Sequence, residues 1–535
     1  MDKLSKLEKD NEKLSALVKS LSDQLLSKDE IIKSKDQQIK ELRMLEDYYT
    51  ELLKLHNKKK FGSSSEKQAA NQISFIDLFD EAELTKLPIS LEPEADKVFE
   101  KVPAKRKKKK AARGDFAKDL ETEVIEYKLD DNQLVCDECS GELTTMKKET
   151  RTEIKIIPAQ IKRVEHVTYS YSCRSCDKEG LSGFIKKAPS PKALIHKSLV
   201  SPSLMAYILN LKYTLALPLY RQEQEFKRLG INLSRQNLSN WTIKGAGLLK
   251  GLYKELKDEL LTQELLHADE TTLEVLEEPG RKASQKSYMW LYRTSRYSEK
   301  PVILFDYKTS RSGDNAKTFL EGWQGTYLHC DGYAGYKKIE DKKLCGCWAH
   351  AKRKFHDAWQ ANKKNEEAKN CEDYISRLFA LEKEADKSEL TDEARLELRK
   401  DKSAKLVDDF YDYLEELSTR TLPRSLLGKA ITYAQNQKVY LMTFLEDPRI
   451  QLSNNLAEQS IRPFVIGRNN WLFSASPRGA DSSALIYSII QTAIANDLKP
   501  YYYLDYIFEE IQLNEDLLIR DLLPWSDRIP EECKK

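Results

Sequence analysis

The sequence predicts a multidomain α+β protein, because its hydrophobic periodicity changes repeatedly along 535 residues. Residues 1–58 follow a seven-residue helical repeat, and residues 118–190 alternate with a period of two around two Cys-x-x-Cys pairs. Strand-like and helical segments then alternate over the second half of the chain. A chain of this length exceeds what one hydrophobic core organises, so we expect several modules.

The overall charge favours no class of partner, since 88 basic residues nearly balance 86 acidic ones and the net charge is +2. The N-terminal residues are polar, without the apolar segment of a secretion signal, and the longest apolar run, near 484–495, is too short to span a bilayer. Nine cysteines make no even disulfide framework. We therefore expect a cytoplasmic protein with no membrane partner.

Residues 1–58 predict a coiled coil that makes at least a dimer. With Leu4 at position a, nine of the twelve a and d positions over six heptads are apolar. Asn11 occupies an a position, where a buried amide fixes register and strand number. The alternative is an amphipathic helix that packs on its own protein.

Residues 59–117 form a linker without sustained periodicity, and it ends in the basic run "KVPAKRKKKKAAR". Such a run is either solvated or a tether for nucleic-acid phosphates, whose neutralisation releases counterions. Both interpretations remain open from the residues alone.

Residues 118–190 predict a zinc-binding β domain. Two Cys-x-x-Cys pairs bracket strand-like sequence and can bring four thiolates tetrahedrally onto one structural Zn²⁺. The candidate ligands are Cys136, Cys139, Cys173 and Cys176. A redox pair or a chance match is the alternative. His166 lies between the pairs, but a lone histidine on a strand is usually ordinary surface.

Residues 191–255 predict a helix-turn-helix DNA-binding domain. We expect one helix from Ser203, a second over 219–228, a turn containing Gly230, and a third helix capped by Ser234. The third helix carries polar side chains able to reach base edges or phosphates: Arg235, Gln236, Asn237, Ser239 and Asn240. A three-helix packing module with polar faces is the alternative.

Residues 256–350 begin with three strand-like segments, "ELLHADETTLEVL", "SYMWLYRT" and "PVILFDYKTS", and continue through a helical stretch to "GTYLHCDGYAGY". This order matches the opening of an RNase H-like mixed sheet, in which the first and fourth strands are neighbours. Asp269 on the first strand and Asp331 after the fourth should therefore meet. The Asp-Gly pair of the last segment is also an ordinary turn signal.

Two adjacent carboxylates repel unless a cation lies between them, and oxygen ligands suit Mg²⁺. A pair of such ions needs a third carboxylate. Glu458 is one candidate, on a short helix that we expect Pro463 to close; Asp481 and Glu270 are its rivals. Glu458 could instead form a simple surface ion pair with Arg462.

Residues 351–450 are charged, poor in glycine and proline, and predict a helical insertion that divides the RNase H-like catalytic domain into 256–350 and 451–498, with 499–535 as a C-terminal segment. Ahead of the insertion, "CGCWAHAKRKF" predicts a fifth strand and a basic helix. Cys347 and His350 form half of a zinc site, without an evident second half, so structural support is the expectation. The helix could face phosphates through His350, Lys352, Arg353 and Lys354.

The heptads, "KKKFGSSSEK", the cysteine pairs, "HADETT", "CDGYAGY", "CWAHAKRKF" and "NNLAEQSIRPFVIGRNNWLF" occur in the order of the insertion-sequence-66 transposases, which this chain resembles over nearly its whole length. The resemblance implies a DDE transposase, an RNase H-like enzyme that uses two Mg²⁺ ions to nick transposon terminal repeats and join them to target DNA. It places the triad on Asp269, Asp331 and Glu458, and small companion proteins usually accompany the family. Arg462 and Arg468 join the expected DNA contacts.

The chain departs from the family pattern at Gln459, because the family usually has arginine after the glutamate. That change could weaken a phosphate contact while all three carboxylates remain. Two alternatives to a transposase stay open: a DNA-binding regulator that has lost catalysis, and an RNase H-like endonuclease without strand transfer.

Overall fold

The computed structural model describes residues 13–15, 17–22, 24–29, 31–35, 38, 161–172, 185–514 and 516–535. The four cysteines of the predicted zinc site and the linker 59–117 lie outside these residues. The chain divides into two compact units, one of residues 1–86 and 191–535 and one of residues 87–190. In the part of the chain described, no helix is long and apolar enough to cross a membrane.

The second unit contains the antiparallel strands β1 (Ser170–Ser172) and β2 (Ile185–Lys187). In the first unit, the described residues between 13 and 38 are helical. Among them, the predicted seam residues Leu14, Leu21 and Leu25 expose 52–63% of their surface. Helicity agrees with the heptad pattern, but the coiled coil itself stays a prediction.

A five-stranded mixed sheet forms the centre of residues 191–535. Its strands are β3 (Leu265–Glu274), β4 (Lys286–Thr294), β5 (Ile303–Lys308), β6 (Tyr327–His329) and β7 (Lys343–Cys345). The order is β5-β4-β3-β6-β7, with β3, β4 and β5 antiparallel and β3, β6 and β7 parallel. The first and fourth strands are thus neighbours, as the order of segments predicted.

Four helices precede the sheet: α1 (Pro202–Tyr213), α2 (Leu219–Arg228), α3 (Arg235–Leu248) and α4 (Lys250–Leu260). The cap predicted at Ser234 is confirmed, since its Oγ accepts the N–H of Asn237 at 3.3 Å. Gly230 has a φ of +83° in the turn between α2 and α3. These helices share one hydrophobic core with the sheet, through residues such as Leu209, Leu238 and Leu291.

After β5 comes α5 (Gly313–Phe319), and after β7 a helical segment with its own core. The segment contains α6 (Trp348–Ala361), α7 (Glu366–Lys387), α8 (Asp392–Leu398), a π-helical turn (Arg399–Ser403), α9 (Ala404–Arg420), α10 (Leu426–Asn436) and α11 (Lys438–Met442). The helical character expected between the two parts of the sheet region is confirmed.

The chain returns to the sheet with α12 (Asn455–Trp471), α13 (Pro477–Ala495) and α14 (Pro500–Leu513). Helix α13 covers the edge strand β5: Ser488 Oγ accepts the N–H of Phe305 at 2.7 Å, and Thr492 Oγ1 accepts that of Ile303 at 3.0 Å. Hydroxyl groups thus satisfy backbone donors that an edge strand would otherwise leave open.

The prediction that Pro463 ends its helix is wrong, because α12 continues to Trp471. Proline removes one helical hydrogen bond and crowds the preceding turn, yet buried neighbours can hold a helix across it. Phe464 lies next to Pro463 and is 1% exposed in the core shared with the sheet. Helix α12 ends instead where Leu472, the residue after Trp471, takes a φ of +68°.

Candidate active site

Asp269 and Asp331 lie beyond paired residues of two neighbouring parallel strands. His267 of β3 is in register with His329 of β6, and each aspartate follows its histidine by two residues. Since side chains alternate along a strand, Asp269 points to the same face of the sheet as His267. The register thus brings both carboxylates to the carboxyl end of the parallel pair.

The turn after β6 holds Asp331 in place. Its Oδ1 accepts the N–H of Tyr333 at 2.9 Å, and its carbonyl accepts the hydroxyl of Tyr433 at 3.1 Å. Gly332 has a φ of +90°, a conformation that glycine adopts without steric cost. The Asp-Gly pair is therefore a turn that also orients a carboxylate.

Asp269 is the electrostatic centre of the site. Burial raises its pKa well above the usual range, and the negative charges of Glu270, Asp331 and Glu458 raise it further. The N–H of Glu270, which donates to Asp269 Oδ1 at 2.8 Å, opposes this shift. Charges from three separate segments of the chain thus act on one carboxylate.

Asn454 places Glu458 near that carboxylate. Its side chain is fully buried, with Oδ1 2.9 Å from His267 Nδ1 and Nδ2 donating to the carbonyl of Ala268 at 2.8 Å. Ala268 immediately precedes Asp269, and Asn454 immediately precedes α12, whose first turn contains Glu458. The amide therefore fixes the start of α12 against β3.

Glu458 also contacts α6, because its Oε1 lies 3.1 Å from His350 Nε2. Cys347, at the start of α6, completes a trio in which one ligand atom from each residue lies within 4.8 Å of the others. No other trio of His, Cys, Asp or Glu among the residues described meets that spacing. The structure thus gives the Cys-x-x-His pair a third member that sequence spacing did not suggest.

Glu270, one rival for the third carboxylate, has strong partners of its own. Arg311 donates to Oε1 through Nε at 2.8 Å and Nη2 at 2.5 Å, and the hydroxyl of Tyr336 donates to Oε2 at 2.6 Å. Burial and the charge of Asp331 raise its pKa, whereas Tyr336 and Arg311 lower it. Arg311 stacks on the Tyr333 ring at 4.1 Å, which connects this cluster to the Asp331 turn.

Asp481, the other rival, belongs to a different environment on α13. Burial raises its pKa, and the charged groups that act on it are Lys308, Asp306 and Lys250. Asp481 is not among the groups that shift the pKa of Asp269, whereas Glu458 is. This difference favours Glu458 as the third carboxylate.

The candidate DNA contacts lie on three helices. The start of α3 exposes Arg235, Gln236, Asn237 and Asn240, while Lys352 and Arg353 on α6 and Arg462 on α12 are partly exposed. The Arg468 guanidinium donates to Thr271 Oγ1 at 3.0 Å and to Thr272 Oγ1 at 3.3 Å, and burial lowers its pKa. Arg468 therefore ties α12 to β3, and its contact with DNA stays a prediction.

The fold and the site define a class: an α+β protein with an acidic site at the carboxyl ends of parallel strands. The family model described as "Transposase IS66 family" matches residues 197–482, more than half of the chain. This protein belongs to the IS66 family of transposases.

Two further family models match outside that region. "Zinc-finger binding domain of transposase IS66" matches residues 133–177, and "Transposase C of IS166 homeodomain" matches residues 48–125. Similar curated proteins include two from Sinorhizobium fredii (strain NBRC 101917 / NGR234), both described as uncharacterized. Protein y4jD is 29% identical over 73% of this chain and 78% of its own length, and y4qI is 29% identical over 89% and 88%.

We expect Asp269→Asn to raise the Tm of the protein without added divalent cation. The folded-state pKa of Asp269 is raised, so its contribution to stability is complete below the unfolded value of about 3.9 and is lost as pH rises through the folded value. The neutral amide of the variant does not lose this stability, so the Tm difference between Asp269→Asn and wild type should grow with pH.

Thermal denaturation between pH 4 and pH 8 measures this difference, with the exposed Glu277→Gln as a matched control that should not change the Tm. A Tm of Asp269→Asn below that of wild type throughout this range would contradict the electrostatic account.

Proposed function

We propose that this chain is a DDE transposase that binds the terminal repeats of its element and performs Mg²⁺-dependent strand cleavage and strand transfer. The observation that carries the proposal is that the charges of Asp331 and Glu458 both act on the buried Asp269, raising its pKa, on a strand that pairs in parallel with the strand before Asp331. Family membership supports the same function.

The strand order supports an RNase H-like catalytic domain. Three antiparallel strands continue into a parallel pair on the other side of β3, and α12 brings Glu458 back to β3 from beyond the helical insertion. This arrangement places catalytic groups on or beside regular secondary structure, which holds them in position better than loops do.

The donor set fits Mg²⁺, because all three groups are carboxylates and the buried Asp269 is destabilised by its neighbours' charges. Asp269, Asp331 and Glu458 would hold the two Mg²⁺ ions. Such ions activate the attacking hydroxyl or water and stabilise the leaving oxygen at the phosphorus.

The chain's own residues orient these ligands. The N–H of Tyr333 fixes Asp331, and His350 holds an oxygen of Glu458. Arg311 neutralises Glu270, so that the other three carboxylates would be the ones that bind the cations. In strand transfer, the transposon 3′-oxygen bonds to a target phosphorus as the bond to the target 3′-oxygen breaks.

Basic and polar residues on α3, α6 and α12 would hold double-stranded DNA, both the terminal repeats and the target. We assign sequence reading to the exposed start of α3 and phosphate contacts to Lys352, Arg353 and Arg462. His350 touches Glu458, so a phosphate near it would lie beside the carboxylates.

The exposed leucines of the N-terminal helical residues support self-association through a coiled coil, which would let one assembly hold two transposon ends. A monomeric mass for the full chain in solution would exclude this. Companion proteins remain an expectation from the family.

We assign the structural zinc of the zinc-finger domain to Cys136, Cys139, Cys173 and Cys176, all of which fall within the matched residues 133–177. Metal analysis should show that Cys136→Ser lowers the zinc content by up to one ion per chain, because the structural zinc then loses one of its four thiolate ligands. Cys371→Ser, a buried cysteine of α7, is the control that keeps the zinc. Equal zinc in both variants would refute the assignment.

The catalytic test incubates the purified chain with DNA carrying the ends of its element, a target plasmid and Mg²⁺. Asp331→Asn and Glu458→Gln should each reduce joined products by at least about a hundredfold, since each removes a charge that stabilises the transition state. Asp481→Asn should leave the rate unchanged, because Asp481 acts on other groups.

The same experiment separates the alternatives. Cleavage without joining, with and without companion proteins, would indicate an endonuclease, and binding without cleavage would indicate a regulator. Full activity of Glu458→Gln would refute the triad.

A further inference from the structure

The Cys347–His350–Glu458 trio differs in chemistry from the carboxylate set around Asp269. It offers one sulfur, one imidazole nitrogen and one carboxylate oxygen, each within 4.8 Å of the others. Sulfur and imidazole ligands select Zn²⁺ and related cations, whereas Mg²⁺ takes oxygen ligands. Glu458 is the residue that the two sets have in common.

We propose that Cys347, His350 and Glu458 form a second cation site, selective for a thiophilic divalent cation such as Zn²⁺, and that its occupation withdraws Glu458 from the site around Asp269. The proposal goes beyond the proposed function, since cation binding at the trio does not require that the chain cleaves DNA.

The geometry is close to that of a zinc site. Ligand atoms about 2.0–2.3 Å from a tetrahedral zinc lie about 3–4 Å from one another. The pair His350 Nε2 and Glu458 Oε1, at 3.1 Å, already has such a separation, so closing the trio requires a movement of about 1 Å or less at the remaining pairs. Rotation of the Glu458 side chain at the start of α12 can supply such a movement.

Burial and the charge of Glu458 raise the pKa of the Cys347 thiol, and two features of its surroundings offset part of the cost of a metal-bound thiolate. The N–H of Asn454 donates to Cys347 Sγ at 3.2 Å, as outer-shell donors do around metal-bound sulfur. Cys347 precedes the first residue of α6, where the positive end of the helix dipole favours negative charge. On binding, the Sγ–metal bond replaces the S–H bond and the proton passes to solvent.

The trio is also accessible. The side chains of His350 and Glu458 are 24% and 16% exposed, although Cys347 is buried beneath them. Three protein ligands leave a fourth tetrahedral position, which water can fill. A cation can therefore enter from the solvent side between the imidazole and the carboxylate.

Occupation of this site should inhibit the proposed chemistry. Zn²⁺ binds mixed nitrogen, oxygen and sulfur ligands far more tightly than hard cations do. A bound Zn²⁺ would hold Glu458 toward α6, leaving the carboxylates at Asp269 and Asp331 without their third member.

Cobalt titration of the full-length chain, with the zinc of its finger retained, tests the site directly. Co²⁺ bound to a thiolate gives a sulfur-to-metal charge-transfer absorption in the near ultraviolet. We expect this absorption in wild type, its loss in Cys347→Ser, and at least a tenfold weaker Co²⁺ affinity in Glu458→Gln. Cys345→Ser is the matched control: this buried cysteine lies two residues away, outside the trio, and should keep the wild-type absorption.

Absence of this absorption in wild type would overturn the proposal. An equal absorption in Cys347→Ser would also overturn it, because the signal would then come from Co²⁺ that has exchanged into the zinc finger. A second readout is the rate of DNA joining with and without added Zn²⁺, each variant compared with its own zinc-free rate. Zn²⁺ should inhibit wild type and Cys345→Ser but not Cys347→Ser, and equal inhibition of all three would contradict the mechanism. If no protein joins DNA, the cobalt result still decides the site.

Discussion

Electrostatic repulsion among four carboxylates around Asp269, in the middle of β3, is the constraint on which the surrounding structure depends. Glu270 is compensated by Arg311 and Tyr336, Glu458 contacts His350, and Asp331 accepts a backbone N–H. At Asp269, burial and three neighbouring charges raise the pKa well above its usual range, although a backbone N–H opposes them. A fold that keeps such a group stores an unfavourable interaction that a cation can relieve.

The scaffold beneath the carboxylates leaves that repulsion in place. His267 and His329 stack with ring centroids 5.0 Å apart, fully buried two residues before the aspartates. Burial lowers the pKa of His329 to about 4 and that of His267 well below its usual range, so both rings are neutral at physiological pH. These two rings pack under the strands, and His267 contacts Asn454 without adding positive charge. The negative charge of the carboxylates must therefore be neutralised by groups that approach from solvent.

The sequence identified the parts of this site that depend on strand order. Alternating segments in the right succession predicted that β3 and β6 would be neighbours, and the two strands do pair in parallel, with His267 opposite His329. The residues alone left Glu458 level with its rivals, because a helical insertion separates it from the sheet and only tertiary packing shows which carboxylate returns. The family resemblance, rather than spacing, favoured it.

Contacts between distant segments were the least predictable. Asn454, Arg311 and Tyr336 carry no pattern of their own, since their roles depend on buried partners on other elements. The prediction for Pro463 was wrong for a related reason, because core packing overrides the local preference of proline to end a helix. Cys347 and His350 were visible as a pair, but their meeting with Glu458 depends on a side-chain contact between α6 and α12.

The central claim is that Asp269, Asp331 and Glu458 together would hold the catalytic Mg²⁺ ions. Anomalous diffraction from crystals of the protein bound to its terminal-repeat DNA, soaked in Mn²⁺ as a substitute for Mg²⁺, tests it most directly. The account predicts two Mn²⁺ peaks about 3.5–4 Å apart, bonded to Asp269, Asp331 and Glu458. Mn²⁺ peaks that leave Asp269 uncoordinated would contradict it.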